Sequence, residues 1–263
     1  MMFKMCIRDR GVGTPMTLNI EVAAALAEDA ATLALLHDSE LARPVLAGLK
    51  EAGFPDNLGL LPMGPASLGS FEMMRVALAS LPDSPDAALL DELAADFAAI
   101  YLTGAFGASP SESYWLSDDH LVCQDAMFGL RALYAENGLA VPDWRKRPDD
   151  HLVFQLQFLA RRLDAAATPE DWRALGRFLD YHLLRWLPDF AGRVADRCDT
   201  MLYAALALLT DAWLQQVRDL IAGHLGEPRP SREEIEASLG SQREAEPVAV
   251  PVAFMPGAAG PSW

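Results

Sequence analysis

The chain has 263 residues, 51% hydrophobic and 22% charged, with 37 Asp and Glu against 21 Lys and Arg for a formal net charge of −16. This length allows one large domain or two small ones with a proper core, the apolar half excludes a wholly disordered chain, and the acid excess argues against nucleic acid, whose phosphates need basic neutralisation. A field of this sign favours cationic or arginine-rich partners, while three scattered cysteines, Cys6, Cys123 and Cys198, suggest no disulfide framework and fit a reducing, cytoplasmic compartment.

Residues 1–15 are basic but lead into no apolar signal core, so they read as a leader or misassigned start, with the native chain beginning near Met16. The run after Met16 is interrupted by Glu21, Glu28 and Asp29, as a helix with one wet face would be. Apolar spacing by threes and fours predicts helices near 17–36, 40–52, 68–82, 86–102, 118–136, 149–164, 169–186 and 199–224. Ser84-Pro85-Asp86 and Thr168-Pro169-Glu170-Asp171 each offer a hydroxyl N-cap, a first-turn proline and a first-turn acid. Ser117-Asp118-Asp119 opens another helix, which Asn137-Gly138 closes. Residues 54–66 and 104–116, rich in Gly, Pro and Ser, are expected to be irregular.

The clearest registers are Leu152, Leu156, Leu159 and Leu163, with Arg161 and Arg162 on the wet side, and Leu202, Leu206, Leu209, Trp213, Val217 and Leu220. β-Branched residues are sparse and no run alternates, so the fold class is all-α, one helical domain over 16–226. Residues 227–263 are Pro/Ala/Glu-rich and are expected to be a mobile tail with at most one short helix capped at Ser231. The apolar run Met201 to Leu209 is about half of the ~18 residues a membrane span needs.

The motifs that are missing point away from turnover. Neither a G-x-x-x-x-G-K-[ST] loop nor a G-x-G-x-x-G turn is present, and no H-E-x-x-H, C-x-x-C or G-x-S-x-G. The expectation is a binding protein with no cofactor, no metal and no catalytic residues.

Two segments are informative. In Arg147-Pro148-Asp149-Asp150-His151-Leu152-Val153-Phe154-Gln155, two carboxylates and an imidazole crowd the first turn of a helix, with His151 and Gln155 on one face. In Phe178-Leu179-Asp180-Tyr181-His182-Leu183-Leu184-Arg185-Trp186-Leu187-Pro188, residues Phe178, His182 and Trp186 form a stripe and Pro188 is expected to stop the helix.

These segments resemble the TorD/DmsD family of redox-enzyme maturation chaperones. The match runs in order through Pro148, Asp150, His151, Leu152, Leu156, Phe158, Phe178, His182, Leu183, Trp186, Pro188 and Phe190. Upstream, Asp96 to Tyr101 is similar to a Tyr-x-x-Leu-Phe block, and Pro110, Ser113 and Tyr114 to a Pro-x-x-Ser-[VI]-Tyr block. The resemblance covers roughly 90–215 and implies an all-helical cytoplasmic protein. Such a protein binds the twin-arginine signal peptide, or the apo form, of a molybdopterin oxidoreductase catalytic subunit and releases it once the cofactor is inserted. It further implies weak guanine nucleotide binding in some members, and a monomer or a domain-swapped dimer. The residues it marks for the client are Pro148, Asp149, Asp150, His151, Gln155, Tyr101, Ser113, Tyr114, His182 and Trp186. Arg147 and Gln155 depart from the family pattern, which has Glu at both places, and both changes remove negative charge.

The residues agree on one separate point. Residues 76–130 contain no Lys or Arg but nine acids, Glu112 among them, and a leader with two guanidiniums needs carboxylates beside an apolar groove. Asp149 and Asp150 beside Leu152, Tyr101 and Trp186 would supply both. Plainer roles stand alongside: first-turn acids for Asp149 and Asp150, a loop hydrogen bond for His151, a loop cap for Ser113, and core or groove wall for His182 and Trp186. Two other functions compete. One is a nitrate-reductase-type chaperone for a client that is not exported. The other is a small-molecule or nucleotide-binding enzyme with Asp150 and His151 as an acid–base pair.

Overall fold

The computed structural model describes residues 18–245, so the reading of residues 1–15 and most of that of the tail lie outside the described residues. The chain divides into two compact units after Arg229. The first holds α1 (Ile20–Asp38), α2 (Arg43–Ala52), α3 (Pro65–Ser80), α4 (Ala87–Phe97), α5 (Glu112–Leu116), α6 (Asp125–Glu136), α7 (Leu152–Asp164), α8 (Pro169–Phe178), α9 (Leu184–Arg197) and α10 (Met201–Leu225). Two π-helical segments, Ala98–Leu102 and Leu179–Leu183, continue α4 and join α8 to α9. Among the described residues the only extended pairing is a single antiparallel bridge between Ser111 and His151. The class is all-α, as the patterning requires.

Helix α10 is the axis of the first unit, packing on α9, α3, α8 and α4, while α1 and α7 lie along one another. The anticipated stripes face inward: Leu152, Leu156, Leu159 and Leu163 of α7 are fully buried, as are Leu206, Leu209, Trp213 and Val217 of α10. Full burial of a leucine is worth about 1.5–3 kcal/mol, so each stripe outweighs the capping contributions around it. Across the core, the Arg218 guanidinium grips Asp180 at 2.8–2.9 Å, tying α10 to the second π segment. Thr168 and Asp171 close the expected reciprocal capping box on α8.

Three expectations change. Asp86, not Ser84, caps α4, its carboxylate taking the Leu89 N–H at 2.9 Å. The helix expected over 118–136 begins only at Asp125, because His120 and Cys123 adopt positive φ of 52° and 60°, which no helix accommodates. Ser117 instead caps a turn, its hydroxyl accepting from Leu121 N at 2.8 Å. Asn137 and Gly138 do end α6, with Gly138 left-handed at φ 69°.

Pro188 does not stop its helix but lies inside α9. The π turn upstream leaves Leu184 at φ −77°, ψ −6°, which swings its carbonyl off the helical line where the proline ring would meet it. In the second unit the helix expected to be capped at Ser231 is α11 (Arg232–Ala245), 14 residues long, its start fixed by Ser231 and Glu234, each accepting from the other's backbone N–H.

Candidate functional site

The site grows from that single bridge. The extended residues before α5 run against the residues before α7, with Leu152 N–H donating to Pro110 O at 2.8 Å and Glu112 N–H to Asp150 O at 3.1 Å. Asp149 and Asp150 therefore precede α7 rather than occupying its first turn; His151 is the N-cap, its Nδ1 accepting from Val153 N–H at 3.2 Å.

Asp150 is fully buried. Its Oδ2 accepts from the Ser113 N–H at 2.7 Å and the Ser113 hydroxyl at 2.5 Å, while Oδ1 has no partner. Burial pushes the carboxyl above its ordinary value; the Ser113 bonds pull it back and the Glu112 charge adds to the rise. The Ser113 oxygen accepts in turn from Gln124 N–H at 3.1 Å, so this hydroxyl is more than a local loop cap.

Glu112, buried to 1% exposure, is the centre of the network. One oxygen faces His182 Nδ1 at 3.1 Å and the other accepts from Gln155 Nε2 at 3.1 Å; the same amide nitrogen reaches Asp150 O at 2.9 Å. This explains the glutamine. Its amide donates to a buried carboxylate, where a glutamate would bring a third negative charge against Glu112 and Asp150. Gln155 Oε1, like Asp150 Oδ1, is buried without a donor.

Asp149 is occupied. Arg131 binds it through Nη2 at 2.8 Å and Nε at 3.2 Å, and Tyr134 OH donates to its carbonyl at 3.2 Å. Nor does Arg147 stand against these carboxylates: its guanidinium pairs with the Asp38 carboxylate and donates to Asp38 O at 3.0 Å. His151 is held neutral, burial pushing its pKa well below the usual imidazole value with Arg147 and His37 adding to the effect. His151 and Asp150 are hydrogen-bonded elsewhere and not to each other among the described residues.

Tyr101 belongs to a second chain of bonds. Thr210 donates its hydroxyl proton to Leu206 O at 2.8 Å, so His37 Nε2–H must be the donor across the 2.8 Å contact to Thr210 Oγ1. A neutral His37 then accepts at Nδ1 from Tyr101 OH at 2.5 Å. Complete burial keeps that ring neutral, lowering its pKa to about 3.

Of the remaining expected residues, Trp186 is fully buried core against Phe190. Tyr114 reaches Gly107 O at 3.3 Å and stacks on His120. Pro148, half-buried, accepts from His151 N–H at 3.1 Å. The fold thus unites Ser113, Asp150, Gln155 and His182, flanks them with Pro148, Asp149 and His151, and sets Tyr101, Tyr114 and Trp186 in other contacts.

Sequence reasoning missed Glu112 as a site residue, along with His37 and Arg131. Glu112 was counted only within an acidic stretch, although its place immediately before Ser113 was available as a signal. Among the described residues no group of three or more His, Cys, Asp or Glu is arranged to hold a metal ion, and no helix is long and apolar enough to cross a membrane.

The family described as nitrate reductase delta subunit matches residues 70–192, which span α3 to most of α9 and enclose the whole network. Over 185 residues the chain is 31% identical to the chaperone protein TorD of Shewanella loihica, covering 68% of this chain and 84% of the relative. It is 34% identical over 147 residues to the chaperone protein TorD of a Vibrio cholerae strain, covering 53% of this chain and 66% of the relative. To that of Shewanella sp. strain MR-4 it is 32% identical over 173 residues, 62% and 76% of the two chains.

Proposed function

Since the chain belongs to the TorD/DmsD-type family of maturation chaperones, we propose that it is a non-catalytic cytoplasmic chaperone of a molybdopterin oxidoreductase subunit, capturing the client's twin-arginine leader until the cofactor is in place. The similarity to TorD across 84% of the relative's length carries this reading.

The site's chemistry supports it. Asp150 Oδ1 and Gln155 Oε1 are acceptors without donors in a buried carboxylate network, and a guanidinium brings five donors in a fixed fork. Half-buried His182 and Pro148 are the accessible members. A leader arginine reaches Asp150 when the 104–116 segment lifts from α7, exchanging the Ser113 bonds for its own. No covalent bond changes; release follows when the folding client makes competing contacts.

The test is calorimetry of the full chain with a twin-arginine leader peptide and with its twin-lysine counterpart. Asp150→Asn, which keeps the shape and removes the charge, is expected to weaken the arginine peptide at least tenfold with helicity unchanged. Equal binding of both peptides, or an unchanged affinity in the variant, rejects the site. The nitrate reductase description of the matching family favours a second reading, a chaperone for a client that carries no leader. Recovery of such a subunit by the tagged chain, with no leader binding, would select it.

A further inference from the structure

The exposed surface around Arg131 combines basic and large aromatic side chains. Residues 76–130 carry no Lys or Arg, and then Arg131, Arg145, Lys146 and Arg147 follow within 17 residues. Three of the four are neutralised: Arg131 by Asp149 at 2.8 Å, Lys146 by Asp143 at 3.4 Å, and Arg147 by Asp38. Among the described residues Arg145 has no carboxylate partner; its guanidinium lies 4.8 Å from the centre of the Trp144 ring. On that same ring sits Arg131, at 4.9 Å, and Arg131 also covers Phe128 at 5.5 Å.

Phe128, Arg131, Trp144 and Arg145 therefore form one chain of aromatic–guanidinium contacts that the protein leaves in water. Phe128 is 56% exposed and Trp144 37%, and the loop leading into α6 adds Leu121 at 53% and Val122 at 47%. A stack of this kind holds its guanidiniums flat and pre-oriented. Large aromatic and arginine side chains around a free positive charge are also the composition of protein interface anchors.

We infer that this face is a docking surface for an acidic segment of a partner protein. An aspartate or glutamate of the segment pairs bidentately with Arg145, while its aliphatic or aromatic side chains cover Trp144, Phe128 and the Leu121–Val122 step. Charge selects the occupant. The net charge of −16 disfavours an acidic segment over most of the chain, so one lands where an unpaired guanidinium stands among exposed aromatic side chains, as Arg145 does beside Trp144 and Phe128. The Arg145 guanidinium equally turns away the arginine pair of an export leader, so the ligand of this surface differs from that of the Asp150 network, which it adjoins through Arg131–Asp149 and Gln124–Ser113. A nucleotide fits less well, since the chain has no glycine-rich phosphate cradle and the exposed apolar side chains extend beyond what one base could cover.

The experiment uses the full chain and two labelled 16-residue helical peptides with the same Leu and Ala positions, one carrying only Glu and the other only Lys, followed by fluorescence anisotropy. The Glu peptide is expected to bind at least tenfold tighter than the Lys peptide at low salt and to weaken as salt is raised. Arg145→Glu and Trp144→Ala are each expected to lower its affinity at least tenfold with the circular dichroism spectrum unchanged. Lys146→Glu, which makes the same change in net charge at a residue already paired, is expected to have less than a threefold effect. Preference for the Lys peptide, equal losses in Arg145→Glu and Lys146→Glu, or GTP binding that needs Arg145 without binding of the Glu peptide would each overturn the inference.

Discussion

His37 offers a quantitative handle on the packing beneath the site. Folded, its ring is neutral, with a pKa near 3 caused by complete burial; unfolded, it titrates at about 6.5. Because the folded pKa is the lower, the unfolded chain takes up more protons between these values, and stability falls as pH drops through that window. The limiting slope is about 1.4 kcal/mol per pH unit, so going from about pH 7.5 to about pH 5 removes about 2 kcal/mol through this residue alone. His37→Gln takes away the titration while leaving a donor for Thr210. It loses the bond to Tyr101 and some packing, about 1–2 kcal/mol at neutral pH. Urea unfolding at the two pH values reads both effects. For a slope of about 2–3 kcal/mol per molar urea, the wild-type midpoint should fall by about 0.7–1 M more than the variant's. His151, shifted the same way, titrates in both proteins and cancels from the comparison. Parallel pH dependences in wild type and His37→Gln would refute the neutral, doubly hydrogen-bonded assignment.

Other consequences can be measured in the same assay. Gln155→Glu puts a third carboxylate beside Glu112 and Asp150 in place of the amide donor. It should cost about 1–3 kcal/mol at neutral pH and recover as the pH is lowered toward 4, whereas Gln155→Met should lose stability without that recovery. Removing one partner of the buried Arg218–Asp180 pair, as in Arg218→Met, should cost about 3–5 kcal/mol, because it strands a carboxylate that is 5% exposed. Paired replacement by apolar residues of similar size should restore most of that loss. Arg75→Ala, which breaks ion pairs with Asp56 and Glu72 at the surface, should change stability by less than about 1 kcal/mol.

Helix positions and the buried faces of α7 and α10 were legible from the amino acids because apolar periodicity is local information: one turn constrains the next. The capping box at Thr168 and the left-handed close at Gly138 were legible for the same reason, each depending on side chains within four residues of the backbone they satisfy. Pro188 was misread because its tolerance depends on a π turn several residues upstream, and that turn is stabilised by packing, not composition. The helix before Asp125 failed likewise: Ser117 has the chemistry of a cap, but two residues at positive φ direct the following chain elsewhere. For the site, the motif residues were identifiable, and Ser113, Asp150, Gln155 and His182 do meet. What each one touches was not, because burial and partner choice are properties of the assembled chain.

The amino acid order was sufficient to fix an all-helical, strongly acidic protein and to mark the segments that matter, since helix periodicity, caps and net charge need no neighbours distant in the chain. Only the tertiary arrangement put Glu112 between His182 and Gln155, gave Asp149 to Arg131, turned Arg147 toward Asp38 and left Arg145 unpaired beside Trp144. The reason is electrostatic. A carboxylate or guanidinium carries the same charge wherever it stands in the sequence, but its partner, its hydration and hence its availability to a ligand are set by groups 18 to 109 residues away that packing alone brings within hydrogen-bond distance.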